Sequence, residues 1–360
     1  MCKYFAEEVH MRKIERTFMC ILAAIAMLSC TKSSPYVTIT GFAQGGTYTV
    51  KYNSAGIDCP VEAVKDSVDA LLRDIDNSLS GYNKKSLLSR FNAGESIVPD
   101  LLFKDIYSVA FDVFASTDGA VDVASAPLYD IWGFGFANDS LPSSEKIYQV
   151  MNSCGLMRLN KDMDAALSSD GSLSPADLIL EPGASARLNY NAIAQGYSCD
   201  VVARYLYSLG VKDMLVDIGE IFCDGVNPSG GPWTLGIDRP ADGNNTVGAQ
   251  IQGIFRAPEG PHGIVTSGNY RKFYIRDGKK YAHTIDPRTG YPVDHTLLSA
   301  TVVAPDATLA DAFATYCMVI GLDASKEFIS SRPDLEACLI YDDNGAFCTW
   351  TSEGFILESL

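Results

Sequence analysis

The sequence lacks the short signatures by which most enzymes announce themselves. No HExxH pair, GxSxG elbow, GxxxxGK[ST] loop or strand-to-helix GxGxxG occurs, which disfavours zinc proteases, α/β-hydrolases and two common nucleotide-binding folds. No CxxC pair is present either. Positive charge is scarce, with Lys+Arg 28 against Asp+Glu 44 and a net charge of −16. A nucleic-acid partner is therefore not expected. Any phosphate-bearing ligand has to be held by backbone amides, helix N-termini or a metal ion. There is no internal repeat or low-complexity tract, and the apolar run Phe18 to Leu28 is shorter than the roughly 20 residues of a membrane-spanning helix.

What is present describes a folded, exported protein. The 360 residues are 47% hydrophobic, 20% charged and 10% aromatic, enough for two domains or one large one. Arg12, Lys13 and Arg16 precede the apolar run, and Ser29-Cys30 follows it, the order of a bacterial export signal ending in a lipobox. Residues 1–29 are read as a signal peptide whose first ten residues are an upstream extension. Cys30 is read as the lipidated N-terminus, 30–35 as a tether and 36–360 as the folded domain. The expected location is outside the cytoplasm, anchored by lipid to a bacterial membrane. Seven cysteines follow Cys30, an odd number at irregular spacing, which argues against a disulfide framework or a zinc site while leaving room for one or two bridges. Cys199 and Cys317 sit in amphipathic runs and read as small core residues.

Periodicity predicts a hairpin or long strand over 36–52, broken at Gly45-Gly46, and helices over 61–79, 101–114, 143–154, 191–209, 308–321 and 325–330. Strands are expected over 214–219, 233–238, 249–255, 271–276, 298–303, 337–341 and 347–351, and a strand-and-loop region over 159–186. Helices cluster early and strands late, interleaved without strict alternation. The fold class is therefore α+β, with mixed or antiparallel sheets and packed helices.

Four groups of residues could carry chemistry. Asp311 and Thr315 stand at i, i+4 on a predicted helix and offer a carboxylate and a hydroxyl to a hard cation. The competing reading makes Thr308 and Asp311 a capping box. Asn189 and Asn191 precede a helix whose first turn is small, Ala192 and Ala194 leading to Gly196, so a phosphate could approach the positive helix end. Asn191 as an ordinary N-cap is the alternative. His283 is placed on a strand just before the turn-forming Asp286-Pro-Arg-Thr-Gly290, where it could act as acid or base; His10 lies in the leader, His262 in a Pro/Gly loop and His295 at the surface. Tyr82 and the Trp132-Gly-Phe-Gly-Phe136 segment could stack on a ring system or simply pack the core.

From about Tyr36 to Leu360 the chain resembles the ApbE family of FAD:protein FMN transferases. The stretches that carry the resemblance are QGGTYTVKY, LSGYNKKSLLSRFN, DGAVDVASAPLYDIWGFG, NAIAQGYSCDVV, VDIGEIFCDG, PWTLGIDRP, VTSGNYRKFY, AHTIDPRTGYPV and TVVAPDATLADAFATYC, in that order. The resemblance implies an ApbE-like (T-fold-like) architecture and a Mg²⁺-dependent enzyme. Such an enzyme cleaves FAD and attaches FMN to a Ser or Thr hydroxyl of an acceptor protein, usually a membrane redox subunit, releasing AMP. It also implies that Asp311, Thr315 and the region of Ala192 hold the metal. Gln44, Tyr82, Val121, Asp122, Asn189, Gln195 and Ile285 would line the FAD site, and His283 would be the base. The chain departs from the family pattern at Asn189, often Asp; at Gln195, often Lys or Glu; and at Ala314, acidic in some members. Two other readings remain at this point: a Mg²⁺-dependent FAD pyrophosphatase that passes FMN to water, and a flavin-binding lipoprotein without activity.

Overall fold

The structure is a computed structural model that describes residues 34–134, 141–241, 244, 248–270, 273–276 and 278–359. The signal segment, Cys30 and Phe136 lie outside the described residues. Residues 36–360 form one unit.

In chain order, the unit opens with strands β1 (Tyr36–Ala43) and β2 (Gly46–Asn53). The helices that follow are α1 (Val61–Leu79), α2 (Leu87–Asn92), α3 (Leu101–Ser116), α4 (Ala126–Ile131), α5 (Ser144–Met151), α6 (Met163–Ala166), α7 (Pro175–Leu178) and α8 (Ala194–Ser208). Then come β3 (Met214–Asp217), β4 (Ile221–Asp224), β5 (Thr234–Asp238), β6 (Ile251–Arg256), β7 (His262–Gly268), β8 (Phe273–Arg276), β9 (Lys279–Ala282), β10 (Ile285–Asp286), β11 (Tyr291–Pro292) and β12 (Leu297–Ala304). Helices α9 (Ala307–Ile320) and α10 (Leu322–Ser330) precede β13 (Glu336–Asp343), β14 (Ala346–Thr351) and β15 (Leu357–Glu358).

The main sheet has eight strands in the order β1-β2-β3-β4-β7-β12-β13-β14, antiparallel throughout. Chain neighbours therefore pair at both ends, and β7 joins the halves: Ile221 faces Ile264 on one side of it and Val302 faces Val265 on the other. The α+β expectation holds, with the sheet antiparallel. Val64, Val68, Leu72, Ile75 and Leu79 recur every three or four residues along α1, so they share one face, and all are buried with Tyr48, Val50 and Tyr52 of β2. Truncating such a residue, Leu72→Ala for example, costs about 2–5 kcal/mol. Helix α9 packs across β7 and β12, where Phe313, Cys317 and Met318 meet Val265, Val302 and Leu339.

Several local expectations are corrected. The strand β7 falls where a Pro/Gly loop is expected, and α8 begins at Ala194 rather than Asn191. The 159–186 region holds two single-turn helices, α6 and α7, tied down by isolated bridges at Ile97–Leu173 and Leu159–Ile179. All seven described cysteines are free thiols, with Cys199 and Cys317 buried. Among the described residues no helix is long and apolar enough to cross a membrane.

Candidate active site

The site grows from the packing of α8 against α9. At α9 the capping residue is Asp306, whose side chain accepts from Leu309 N–H at 2.7 Å. Asp311 lies more than a turn further in, so the capping-box reading fails: the Thr308 amide donates to Asp200 of α8, not to Asp311. Asp311 is 4% exposed and its Oδ2 accepts from the Gly196 N–H of α8 at 3.1 Å. Burial pushes its carboxyl pKa up, the Gly196 amide opposes the rise, and the like charge of Asp200 adds to it. Thr315, one turn on, has its hydroxyl 3.3 Å from the Ser267 hydroxyl of β7.

This close approach requires Gly196. A Cβ there would overlap the Ala307 carbonyl and crowd the Asp311 side chain. Gly263 on β7 meets the same stretch of backbone from the sheet side, where a Cβ would overlap Asp306 and Ala307. The start of α9 is thus seated between two glycines.

The donor set fits a hard cation such as Mg²⁺. A buried carboxylate with a raised pKa is strained toward neutrality until positive charge arrives, and a hydroxyl stands one turn away. Among the described residues no three His, Cys, Asp or Glu side chains gather as a metal cluster. A cation here would therefore rest on Asp311 together with neutral oxygens, of which Thr315 and the Ala192 carbonyl are candidates.

Six of the seven predicted flavin-site residues fall into three groups. Gln44, at the β1–β2 turn with φ 51°, donates to the Ser198 hydroxyl of α8, and Gln195 of the same helix donates to the Ile218 carbonyl at 3.2 Å. Val121 is buried, and the segment it begins is joined to Asn189 by an Asn189 N–H to Val123 carbonyl bond of 2.7 Å. Asp122 accepts from Ala124 N–H and from Leu156 N–H, so its side chain braces this loop, and burial pushes its pKa up to about 6. Tyr82 stands 62% exposed after α1. Asn191 does not cap α8; its N–H donates to the Asn189 side chain at 2.9 Å, and Ile193 is the boundary residue.

His283 lies in the bend between β9 and β10 rather than on a strand, with its ring 6.5 Å from that of Phe134 in edge-on contact. Next to it, the buried Thr284 hydroxyl donates to the Asn269 side chain at 2.6 Å. Ile285 is fully buried, and Asp286 and Arg288 line a groove of about 690 Å³ with Tyr316 of α9. The turn after β10 and the outer face of α9 thus border one groove, whose lining includes neither His283 nor Asp311 and Thr315. His295, expected at the surface, is half-buried and its Nε2 donates to the Met318 carbonyl at 2.9 Å. The functional neighbours that sequence reasoning missed are Asp200, Ser198, Ser267, Asn269 and Thr284. Each lies inside or beside a motif, but only folding pairs them.

Buried acids, Asp311 among them, push the pH dependence of stability in one direction. Burial pushes Asp200, like Asp122, up to about 6. An unfolded Asp titrates near 4, so between about pH 4 and 6 the folded state holds more protons, and stability falls as pH rises. Each group contributes a slope of up to roughly 1.4 kcal/mol per pH unit in that window. Calorimetry of metal-free protein is expected to give a higher melting temperature at pH 5 than at pH 7.5. A melting temperature that climbs across that interval contradicts the assignment.

A profile of the ApbE family matches residues 44–339. The FAD:protein FMN transferase of Haemophilus influenzae is 29% identical over 353 residues, 96% of this chain and 98% of its own length. That of Escherichia coli K12 is 35% identical over 310 residues, 83% of each chain. Among solved structures, the flavin transferase ApbE from Vibrio cholerae aligns with a TM-score of 0.71 at 29% identity, covering 88% of this chain and 97% of that one. The apo flavinyl transferase ApbE of Pseudomonas stutzeri gives 0.72 at 31% identity, covering 88% and 95%.

Proposed function

The chain belongs to the ApbE family and is an FAD:protein FMN transferase, and on that premise we propose that Asp311, Thr315 and the Ala192 carbonyl hold Mg²⁺ while His283 takes the proton of an acceptor Ser or Thr hydroxyl. The observation that carries the proposal is Asp311 itself, a buried carboxylate that plays no part in capping its own helix and meets only one backbone amide, that of Gly196 in the first turn of α8. Mg²⁺ bound there would withdraw charge from the pyrophosphate oxygens as the bridge is cleaved.

The protein's own residues do the rest. Gln44, Val121, Asp122, Asn189, Gln195 and Ile285 shape the flavin-nucleotide site around the start of α8, with Tyr82 as its exposed aromatic edge. The bend at 283 presents the imidazole to the acceptor. The acceptor oxygen attacks the FMN phosphorus, the bond to the AMP phosphate breaks, the hydroxyl proton passes to His283, and AMP leaves. Mass spectrometry of an acceptor incubated with enzyme, FAD and Mg²⁺ is expected to show the added FMN phosphoester on Ser or Thr, with one AMP released per addition. Free FMN and AMP as the only products with genuine acceptors would replace this reading by the pyrophosphatase.

The export signal extends the proposal to place and partner. Lipid on Cys30 would hold the domain against the outer face of a membrane, within reach of a membrane-bound redox subunit as acceptor. Cys30→Ser is expected to move the protein from the membrane to the soluble fraction. Unchanged fractionation together with an unchanged processed mass would remove the anchor from the account.

A further inference from the structure

Three orphan amides at the start of α9, those of Ala307, Thr308 and Leu309, have side-chain partners, and two of them are held by a residue that a helix cap does not need. Asp306 supplies the ordinary cap: its side chain takes Leu309 N–H and its carbonyl takes Ala310 N–H. The remaining two amides, Ala307 and Thr308, donate to Asp200 of α8, each at 2.9 Å, and the Thr308 hydroxyl donates to it as well. Water could serve both amides at a solvated helix end, yet a carboxylate only 6% exposed has been brought from another helix to do so. Asp200 and Gly196 lie four residues apart on the face of α8 that meets α9, so they act at two heights of one seam. Asp200 grips the first turn of α9, and the Gly196 amide meets Asp311 about 6 Å further along the axis, four residues at 1.5 Å each.

We propose that Asp200 is a positioning residue for the metal-dependent step: by fixing the first turn of α9 against α8, it sets the depth at which Asp311 is presented. This rests on the reading that Asp311 is a metal ligand. The bond that matters is charged and bidentate, one carboxylate spanning two adjacent amides. An amide side chain in the same place must turn a donor toward one of them. Losing that grip lets α9 slide or tilt by a fraction of an ångström, which a local cap at Asp306 does not prevent.

The test measures Mg²⁺ binding by calorimetry on the full chain, alongside the Mg²⁺ dependence of FAD cleavage. For Asp200→Asn the Mg²⁺ dissociation constant is expected to rise about tenfold, the low end of what a lost ligand-orienting contact does, while kcat at saturating Mg²⁺ stays within about threefold of wild type. Asp306→Ala serves as the control for plain helix-end damage. It should lower the melting temperature yet leave the Mg²⁺ constant within about twofold, because its bonds are local to the first turn. An unchanged constant in Asp200→Asn overturns the proposal, as does an equal weakening in Asp306→Ala. Should Asp200→Asn fail to fold, Thr308→Val removes only the hydroxyl bond to Asp200. It is expected to weaken Mg²⁺ about threefold as a partial loss of the same contact, and no change overturns the proposal. Asp311→Ala separates the two layers. If it binds Mg²⁺ like wild type, the ligand assignment itself has failed; if it loses Mg²⁺ while Asp200→Asn does not, only the positioning role has failed.

Discussion

Asp311→Ala is expected to leave a folded chain in which Mg²⁺ no longer accelerates FAD cleavage. The loss should be at least about 10³-fold, since a Lewis acid at a transferring phosphoryl group contributes several kcal/mol to transition-state stabilisation. The fold should survive because Asp311 accepts a single backbone bond, from Gly196, and its charged form is opposed by burial and by Asp200. The substitution removes that opposition while orphaning one amide, two effects of about 1–3 kcal/mol and opposite sign. The measurement pairs AMP release, with and without Mg²⁺, with a melting curve. A folded mutant that still turns over FAD in proportion to Mg²⁺ ends the ligand assignment. An unfolded one would instead make Asp311 a fold residue.

His283→Ala has the second-largest expected effect, and it should divide binding from transfer. A Ser or Thr hydroxyl is a weak nucleophile at neutral pH, so losing its base should slow flavinylation by about 10²-fold or more. FAD and Mg²⁺ binding should be nearly unchanged. The position supports that division, because the imidazole sits in a bend rather than in a ladder, with its ring edge-on to Phe134. The neighbouring Thr284 is fixed separately by Asn269. Removing the ring therefore disturbs neither the Thr284 bond nor the α8–α9 seam. Flavinylation at the wild-type rate would assign the proton to another group, and a parallel loss of FAD affinity would make His283 a binding residue.

The sequence made some of this legible and hid the rest for physical reasons. Asp311 and Thr315 could be placed on one helical face because the 3.6-residue period is local, and the α1 stripe from Val64 to Leu79 was readable in the same way. The cap was misjudged because Thr308 and Asp311 match a local pattern while the real partners, Asp306 next door and Asp200 over a hundred residues away, compete for the same amides. Asn191 looked like a cap, yet the chain makes a turn over 191–193 before α8 begins, bonded through Asn189. Strand β7 was hidden because its glycines read as breakers. At Gly263 the glycine serves the approach of α9 backbone, a tertiary demand with no short-range signature. Ser267, Asn269 and Thr284 were ordinary polar residues until the sheet brought their segments together.

The two glycines that flank Ala307 also bear on how much the sequence can drift. Where helices lock through interdigitated side chains, each replacement at the seam shifts the axes, and an embedded ligand moves with them. Here the start of α9 rests backbone against backbone, on Gly196 from one side and Gly263 from the other. Its placement is thereby uncoupled from the volumes of Phe313, Met318 or Leu72. Those residues can be exchanged for others of similar bulk, with stability absorbing the difference, while the carboxylate stays at the same depth. Such a seat is brittle at the two glycines and at the Asp200 grip, and tolerant of exchange in the apolar packing around it.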